Sequence, residues 1–396
     1  MAERWLDIIG IGEDGLAGLS GAGRAALEQA AFVFGGPRHL ALAQAGARGQ
    51  AWPRPFDLAP VLALRGRRVA VLASGDPFWF GAGGALAAHL APDEWTAHPA
   101  PSTFSLAAAR LGWPLEGVAC LGLHARPFAV ARVHLHPGAR LLCLLASAEA
   151  VGSFAQWLCD QGFGSSTLWV LQALGGPRER VHRTTAQGLD LDLDLAGIAT
   201  PVAVGLEPAG AAGLPRAAGL PDAAFAHDGQ ITKSPMRALT LAALAPRPGE
   251  LLWDVGAGAG SVAIEWCLAG GRACAVEQHA ARAANIQANA GRFGVAERLQ
   301  VVTGRAPEAL AGLAPAQAIF AGGGFDLALF EALRAASPVA RLVANAVALE
   351  TEALLLQLHA SHGGTLLRID IAQAAPLGRL RSWAPSRPIV QWSVQL

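Results

Sequence analysis

The residues best suited to chemistry lie in the stretch DVGAGAGS at positions 254–261, where an acid precedes three glycines at alternate positions. Glycine lets a backbone approach a ligand closely and adopt positive φ, so such a turn between a strand and a helix is typical of a nucleotide-like cofactor site. A dinucleotide fingerprint places its third glycine one residue later, beside a pyrophosphate. The spacing observed, together with Asp254, which suits a cationic ammonium group, favours S-adenosylmethionine.

A second acid, Glu277, ends the next predicted strand. A carboxylate at this place can accept both hydroxyl groups of a ribose. The alternative is an acid that caps the helix expected after His279. The predicted cofactor-binding residues of this region are Asp254, Gly256, Ala257, Gly258, Gly260 and Glu277.

The elements around this turn predict a doubly wound α/β domain with a terminal antiparallel hairpin. The expected strands are 251–255, 273–277, 299–303, 316–321 and 341–346, with helices between them, a helix at 235–244, and the closing runs TLLRIDIAQ and PIVQWSVQL. This half resembles the class I S-adenosylmethionine-dependent methyltransferases. GQITKSPMRALTLAAL, FAGGGF and RLVANAVALETE further resemble the enzymes of corrin biosynthesis that methylate carbon 15 and decarboxylate.

Two features of the second half are candidate substrate contacts. Lys233, the single lysine of the chain, lies four residues before Arg237, so the two share one face of a helix. Gly322 and Gly323 follow the fourth strand, at the edge where ligands bind in such sheets. For Lys233, the alternative is a lysine retained by chance. For Gly322 and Gly323, the alternative is a tight turn without a ligand.

In the first half, short apolar runs alternate with helical periods, which predicts an α/β domain with a mainly parallel sheet. The runs are WLDIIGI, RVAVLAS, ARLLCLLAS and PVAVGLE. ASGDPFWFG at 73–81 places Gly75, Asp76 and Pro77 at a strand end, and the proline keeps Asp76 extended. It is accompanied by IIGIGEDGLAGLS, APSTFSLAAARLGWP, LGLHAR and LQALGGPRERV.

Together these segments resemble the tetrapyrrole methylase family over residues 5–207. The resemblance implies a two-lobed domain with S-adenosylmethionine in the cleft between its lobes. It assigns the cofactor to Gly75, Asp76, Pro77, Ser102 and Thr103, and the tetrapyrrole side to Gly10 and Gly12. GEDG replaces the commoner GPG, which leaves the contacts of Glu13 and Asp14 open. His124 in LGLHAR is a further candidate substrate contact.

In this order the two halves resemble the fused methyltransferases of aerobic cobalamin synthesis. The resemblance implies a carbon-5 methylating domain at 1–207, a linker rich in Pro, Gly and Ala at 208–226, and a domain at 227–396 that methylates carbon 15 and decarboxylates the carbon-12 acetate. It implies one S-adenosylmethionine per domain and a small-molecule tetrapyrrole substrate. Arginines suit the carboxylates of such a substrate, and those in or beside the motifs are Arg126, Arg178, Arg180, Arg237 and Arg305.

Two alternatives to this function remain. The chain could methylate RNA or a modified protein, or one of its halves could bind the cofactor without catalysing a reaction. Basic and acidic residues number 30 each without a basic run, which argues against a nucleic-acid partner. The sequence contains no apolar stretch of ~20 residues, so no membrane span is predicted. The charged first residues favour a cytoplasmic protein.

Five cysteines without metal-ligand spacing predict neither a metal site nor a disulfide framework. A homo-oligomer is expected.

No catalytic acid or base is assigned. In methyl transfer, the enamine-like carbon of the substrate is already nucleophilic. In decarboxylation, a conjugated iminium of the macrocycle can accept the electron pair. The period of two in DLDLDLA at 190–196 predicts a solvated strand, and a cation site is the alternative.

Overall fold

The computed structural model describes residues 4–189 and 194–396 of the chain. It divides into two compact units: Met1–Phe128 with His134–Gly213, and Ala129–Val133 with Leu214–Leu396. Within the described ranges, no helix is long and apolar enough to cross a lipid bilayer.

The first unit begins with a five-stranded sheet in which every pairing is parallel. The strand order is β3-β2-β4-β1-β5. The elements are β1 (Leu6–Ile11), α1 (Gly21–Gln29), β2 (Phe32–Gly35), α2 (Pro37–Leu42), β3 (Gly49–Ala51), α3 (Ala59–Leu62), β4 (Val69–Ser74), α4 (Ala82–Ala87) and β5 (Trp95–His98). β4 is an unbroken apolar run because a central parallel strand is covered on both faces.

The second sheet of this unit is mostly antiparallel. Its elements are α5 (Thr103–Leu111), β6 (Ala119–Gly122), β7 (Leu141–Leu145), α6 (Ala148–Asp160), β8 (Thr167–Gln172), β9 (Arg180–Thr185) and β10 (Val202–Glu207), in the strand order β6-β7-β10-β8-β9. Only β6 and β7 pair in parallel. The expectation of a mainly parallel sheet is therefore wrong here, because the short connection from β8 to β9 lacks the length of a parallel crossover.

The predicted strand DLDLDLA falls largely on residues 190–193, which lie outside the described residues. The residues just after them form a 3-10 turn, Leu195–Gly197, which the Asp194 side chain caps by accepting a hydrogen bond from the Ala196 N–H.

The second unit contains a seven-stranded sheet, which confirms the doubly wound fold. Its elements are α7 (Ser234–Leu244), β11 (Leu251–Val255), α8 (Ser261–Leu268), β12 (Arg272–Glu277), α9 (Ala280–Arg292), β13 (Leu299–Thr303), β14 (Ala318–Ala321), α10 (Leu327–Ala336), β15 (Arg341–Ala346), α11 (Leu349–His362), β16 (Thr365–Ile369) and β19 (Ile389–Gln395). The order is β13-β12-β11-β14-β15-β19-β16. The first five strands are parallel, and the order reverses between β11 and β14, where ligands bind in such sheets.

The two closing runs pair as an antiparallel β16–β19 arm, as the sequence predicts. A second hairpin that the sequence did not reveal is inserted between them, formed by β17 (Ala372–Leu377) and β18 (Leu380–Pro385). Its residues are almost all exposed, so it lacks the alternation of buried and exposed residues that marks a strand in a sequence.

The second part of the predicted linker belongs to the core of the second unit. Leu220 and Phe225 are buried against its helices and sheet. The N–H groups of Gly219 and Leu220 donate to the Glu265 carboxylate at 2.7 and 3.0 Å. The sequence does not reveal these contacts. The segment is rich in Gly, Ala and Pro, and its two buried apolar residues, Leu220 and Phe225, do not recur with the period of a helix or a strand.

Candidate active site

The glycine turn of the second unit connects β11 to α8. Gly256, Gly258 and Gly260 all have left-handed φ, of +70°, +58° and +71°. A Cβ on Gly258 would lie 2.9 Å from the Gln230 carbonyl oxygen, and one on Gly260 would lie 2.7 Å from Ile286. All three positions therefore favour glycine for their conformation, and Gly258 and Gly260 also for lack of space.

The Glu277 carboxylate lies beside this turn at the end of β12. Its Oε2 accepts a hydrogen bond from the Gly258 N–H at 2.9 Å, and its Oε1 accepts one from the His279 N–H at 2.9 Å. Each carboxylate oxygen can accept more than one hydrogen bond. The group is therefore fixed in place and can still accept the two hydroxyls of a ribose.

Asp254 lies beneath the turn and does not line the cavity in front of it. Its Oδ2 accepts a hydrogen bond from the Ala263 N–H at 3.0 Å, and its Oδ1 has no partner among the residues that the structure describes. Burial raises the pKa of this carboxyl to about 7. The structure thus places Asp254 at the amino end of α8, so a direct contact with an ammonium group is not what the geometry supports.

A cavity of about 1360 Å³ opens in front of the carboxyl ends of the strands. Gly256, Ala257, Gly258 and Glu277 form one side of it, which brings most of the predicted cofactor residues together. The predicted substrate residues Lys233, Gly322 and Gly323 also line it, as do Arg305, Asn345 and Arg387. Gly260 is not among the lining residues and is the N-cap residue immediately before α8.

Lys233 and Arg237 have different environments although both approach Asp222. The Lys233 Nζ lies 3.6 Å from Asp222 Oδ2, and its side chain is 61% exposed. Arg237 is fully buried, with its Nε 2.6 Å from Glu265 Oε1 and its Nη atoms donating to the carbonyls of Thr232 and Leu220. Arg237 is therefore structural, contrary to its prediction as a substrate contact, because its donors are committed inside the core.

In the first unit, the motif loops meet at the carboxyl ends of β1 and β4. Gly10 packs against the Gly75 carbonyl so closely that a side chain on Gly10 would not fit. Gly75 has a φ of +57°, and Gly12, Gly75 and Thr103 line a small cavity of about 30 Å³. This cavity is much smaller than an S-adenosylmethionine molecule.

The other predicted residues of this unit have local roles. The Asp76 Oδ1 accepts a hydrogen bond from the Phe78 N–H at 2.8 Å, across Pro77. The Ser102 Oγ caps α5 by accepting one from the Ser105 N–H at 3.1 Å. His124 is exposed and lies against the Phe80 ring, with 6.4 Å between ring centroids. It does not line the small cavity.

Glu13 is a residue of this region whose role the sequence left open. It is 8% exposed, and its carboxylate accepts hydrogen bonds from Arg38 and, at 3.0 Å, from Arg178 Nη2. Arg38 also donates to the Ser74 Oγ at 2.7 Å. Glu13 thus connects three motif loops, and the two adjacent acids of GEDG, where GPG is commoner, were the signal available in the sequence.

No cluster of three or more His, Cys, Asp or Glu side chains suited to a metal ion occurs among the described residues. All five cysteines are free thiols, and burial raises the pKa of Cys274 to about 11.

Comparison with protein families matches both halves of the chain. The family described as tetrapyrrole (corrin/porphyrin) methylases matches residues 6–190, and the one described as precorrin methyltransferase domain matches residues 223–396. The fold and these matches define a two-domain S-adenosylmethionine-dependent methyltransferase.

Curated relatives extend over nearly the whole chain. A precorrin-6Y C(5,15)-methyltransferase (decarboxylating) from Sinorhizobium sp is 49% identical over 401 residues, covering 98% of this chain and 96% of the relative. One from Mycobacterium tuberculosis is 39% identical over 399 residues, covering 98% of each. The chain therefore belongs to the family of decarboxylating precorrin-6Y C(5,15)-methyltransferases.

Among solved structures, the C-terminal domain of a precorrin-6Y C5,15-methyltransferase from Rhodobacter capsulatus is similar to this chain, with 60% sequence identity. It aligns over 46% of this chain and 100% of that domain, with a TM-score of 0.46.

Proposed function

We propose that the chain methylates precorrin-6Y at carbons 5 and 15 and removes the carboxyl group of the carbon-12 acetate, giving precorrin-8 in cobalamin biosynthesis. Family membership over nearly the full length supports this reaction. The structural observation that carries it is the cavity of about 1360 Å³ around the glycine turn. Pockets for drug-sized ligands measure roughly 300–1000 Å³, so this one has room for a methyl donor and part of a macrocycle.

In the second unit, the residues of the chain bind and orient the two reactants. S-adenosylmethionine, when bound, supplies an electrophilic methyl group. Gly256, Ala257 and Gly258 let the backbone approach it, and Glu277 would accept its ribose hydroxyls. Lys233 and the backbone of Gly322 and Gly323 line the substrate side. Positioning and desolvation suffice here, because the carbon to be methylated is itself nucleophilic.

For the first unit we propose a second S-adenosylmethionine site and carbon-5 methylation. Gly75 and Thr103, two of the predicted cofactor residues, line one small cavity, which supports this assignment. Asp76, Pro77 and Ser102 on the adjoining loops are the further cofactor residues proposed. Gly10, through its close contact with Gly75, Gly12 and His124 remain predictions for the tetrapyrrole side.

Calorimetry and mass spectrometry on the full chain test this function. We expect two S-adenosylmethionine sites per chain, and a product from precorrin-6Y with two added methyl groups and one CO2 lost. Glu277→Gln should weaken the second-unit site by about 10- to 100-fold, the value of one or two hydrogen bonds to a charged group. Glu308→Gln, which changes an exposed acid of the same unit, is the control. A single site in the wild-type chain would contradict the proposal.

A homo-oligomer is proposed because the β17–β18 hairpin presents large apolar side chains. Leu377, Leu380 and Trp383 are 64%, 75% and 72% exposed, and β17 and β18 pair only with each other among the described strands. An isolated two-stranded hairpin is only marginally stable, so a second copy of the chain is the proposed cover. Light scattering should show an assembly that Leu380→Ser with Trp383→Ser reduces to monomers. A wild-type monomer would contradict this.

The remaining proposed partners are small molecules, and the proposed location is the cytoplasm. Equal numbers of basic and acidic residues offer no electrostatic support for nucleic-acid binding.

A further inference from the structure

Three polar side chains from distant parts of the chain meet inside the second unit. They are Thr240 of α7, Asn345 of β15 and Gln391 of β19, which are 0%, 8% and 2% exposed. The Asn345 Nδ2 donates to the Thr240 Oγ1 at 3.0 Å. The Gln391 Nε2 donates to the same oxygen at 3.2 Å and to the Asn345 Oδ1 at 3.0 Å. Buried polar groups need hydrogen-bond partners, and these three supply one another at a place that apolar side chains could fill, so the trio requires an explanation.

The hydroxyl of Thr240 fixes the orientation of both amides. A hydroxyl can accept two hydrogen bonds but can donate only one. Both amides can therefore bond to Thr240 only when at least one of them turns its nitrogen toward the hydroxyl. When both amides do so, the two contacts with Thr240 and the contact between the amides are all hydrogen bonds. In this arrangement, one Nδ2 hydrogen of Asn345 is engaged by Thr240, and the other has no partner among the described residues.

Of the three residues, only Asn345 lines the large cavity. It lies at the carboxyl end of β15, directly opposite Gln391 in the ladder and one residue beyond the Ala321–Ala344 pair that precedes Gly322. The glycine turn and Glu277 belong to β11 and β12, on the other side of β14. With roughly 4.8 Å between neighbouring strands, Asn345 lies about 10 Å from the cofactor strand, in the part of the cavity left for substrate.

We propose that Asn345 donates a hydrogen bond, through its second Nδ2–H, to the acetate carboxylate that the substrate loses as CO2, and that Thr240 and Gln391 are positioning residues for this amide. The inference rests on the proposed function. In the step concerned, the bond between the acetate methylene and its carboxylate carbon breaks. Its electron pair enters the conjugated macrocycle, CO2 departs, and a proton from solvent then converts the methylene to a methyl group.

A neutral donor suits this carboxylate better than a cation does. An arginine would stabilise the full negative charge of the carboxylate, and this charge disappears as CO2 forms. A contact that binds the substrate more strongly than the transition state raises the barrier and slows the reaction. An amide held by two buried neighbours orients the carboxylate with less stabilisation of its charge. Arg387, which also lines the cavity and has no ion-pair partner among the described residues, is suited to carboxylates that are retained.

The test follows carbon-15 methylation and CO2 loss separately by mass spectrometry, with full-length chain, precorrin-6Y and S-adenosylmethionine. Asn345→Leu should slow CO2 loss at saturating substrate by roughly 10- to 100-fold, the cost of losing one orienting contact. The affinity of the second unit for S-adenosylmethionine should not change. Thr240→Val, which frees the amide from one anchor, should have a smaller effect. Arg387→Gln should raise KM without changing the ratio of decarboxylation to methylation.

Asn345→Asp separates substrate contact from a purely structural role. Relative to the wild type at each pH, this variant should lose CO2 slowly at neutral pH and recover as the pH falls, because a protonated carboxyl can donate where a carboxylate repels. Asn345→Leu should show no such recovery. Ser337→Ala is the matched control, since Ser337 is a buried residue of the same unit that bonds to the Ala316 N–H away from the cavity.

The outcomes are distinct. If Asn345→Leu behaves like Ser337→Ala, or if Asn345→Asp shows no recovery at low pH, the proposed contact is wrong. If the wild-type chain itself releases no CO2 from precorrin-6Y, the proposed function fails before any variant is considered.

Discussion

The two units hold their glycine-bearing loops in different ways. In the second unit, the left-handed glycines Gly256 and Gly258 border a cavity of about 1360 Å³. In the first unit, Gly12 and Gly75 border one of about 30 Å³, and Gly10 packs directly against Gly75. One loop is open to a ligand in this structure, whereas the other is filled by its own neighbours.

This difference indicates how the two sites would take up the same cofactor. A preformed cavity binds without rearrangement, whereas a closed one must first populate an open form, which lowers its apparent affinity by the open fraction. We therefore expect the second unit to bind S-adenosylmethionine more tightly and in a single kinetic phase. The first unit should bind it more weakly, with a rate limited by rearrangement of its loops.

The largest effect should come from closing the open site. A valine at position 258 combines a strained φ of +58° with a Cβ 2.9 Å from the Gln230 carbonyl. Gly258→Val should reduce S-adenosylmethionine stoichiometry from two to one and lower carbon-15 methylation by about 100-fold or more, with carbon-5 methylation retained. The strain and overpacking together cost about 2–5 kcal/mol.

Gly291→Ala is the matched control, because a Cβ there meets no atom within 4 Å. Loss of carbon-5 methylation in Gly258→Val would show that the two sites are not independent.

The next effect concerns the loops of the closed site. Glu13→Gln removes the charge that holds Arg38 and Arg178, so it should lower the free energy of unfolding of the first unit by about 1–3 kcal/mol. Carbon-5 methylation should fall while carbon-15 methylation is unchanged in the same sample. Glu116→Gln, an exposed acid of the same unit, is the control. A parallel fall in both methylations would remove the contrast between the units.

A pH dependence should distinguish the second unit. Burial raises the pKa of Asp254 to about 7, so the folded chain holds a proton that the unfolded chain has already released. Its unfolding free energy should therefore fall as the pH rises from about 4 to 7. Asp254→Asn should flatten this slope in denaturant titrations of the second unit. An equally steep slope in the variant would assign the dependence to another group.

The smallest effect is expected at Lys233. Its contact with Asp222 is 3.6 Å long and its side chain is 61% exposed, so Lys233→Gln should change stability by less than about 1 kcal/mol. If this lysine faces a substrate carboxylate, KM for the tetrapyrrole should rise by about 3- to 10-fold with kcat unchanged. An unaltered KM would mean that the substrate side of the open cavity does not use this cation.

Much of the second unit was predictable from local patterns. The strands at 251–255, 299–303 and 341–346 agree with the structure, because each is a short run that contains valine with leucine, residues that favour strands or buried positions. The exposed β17–β18 hairpin has no such pattern and was missed. In the first unit, apolar runs indicated strands but not their direction, so the mostly antiparallel second sheet was not foreseen.

The sequence by itself determined the backbone conformations at the sites. Glycines at 256, 258 and 260 permit the left-handed φ that the turn adopts, because steric limits on φ act within one residue and its neighbours. Only the tertiary structure decided which polar groups face a ligand. Lys233 and Arg237 are four residues apart, yet one is exposed and the other fully buried.

Asn345 and Gln391 are paired with Thr240 across 105 and 151 residues of chain. Burial and partner choice depend on packing between elements that are distant in sequence, and no short stretch of residues carries that information.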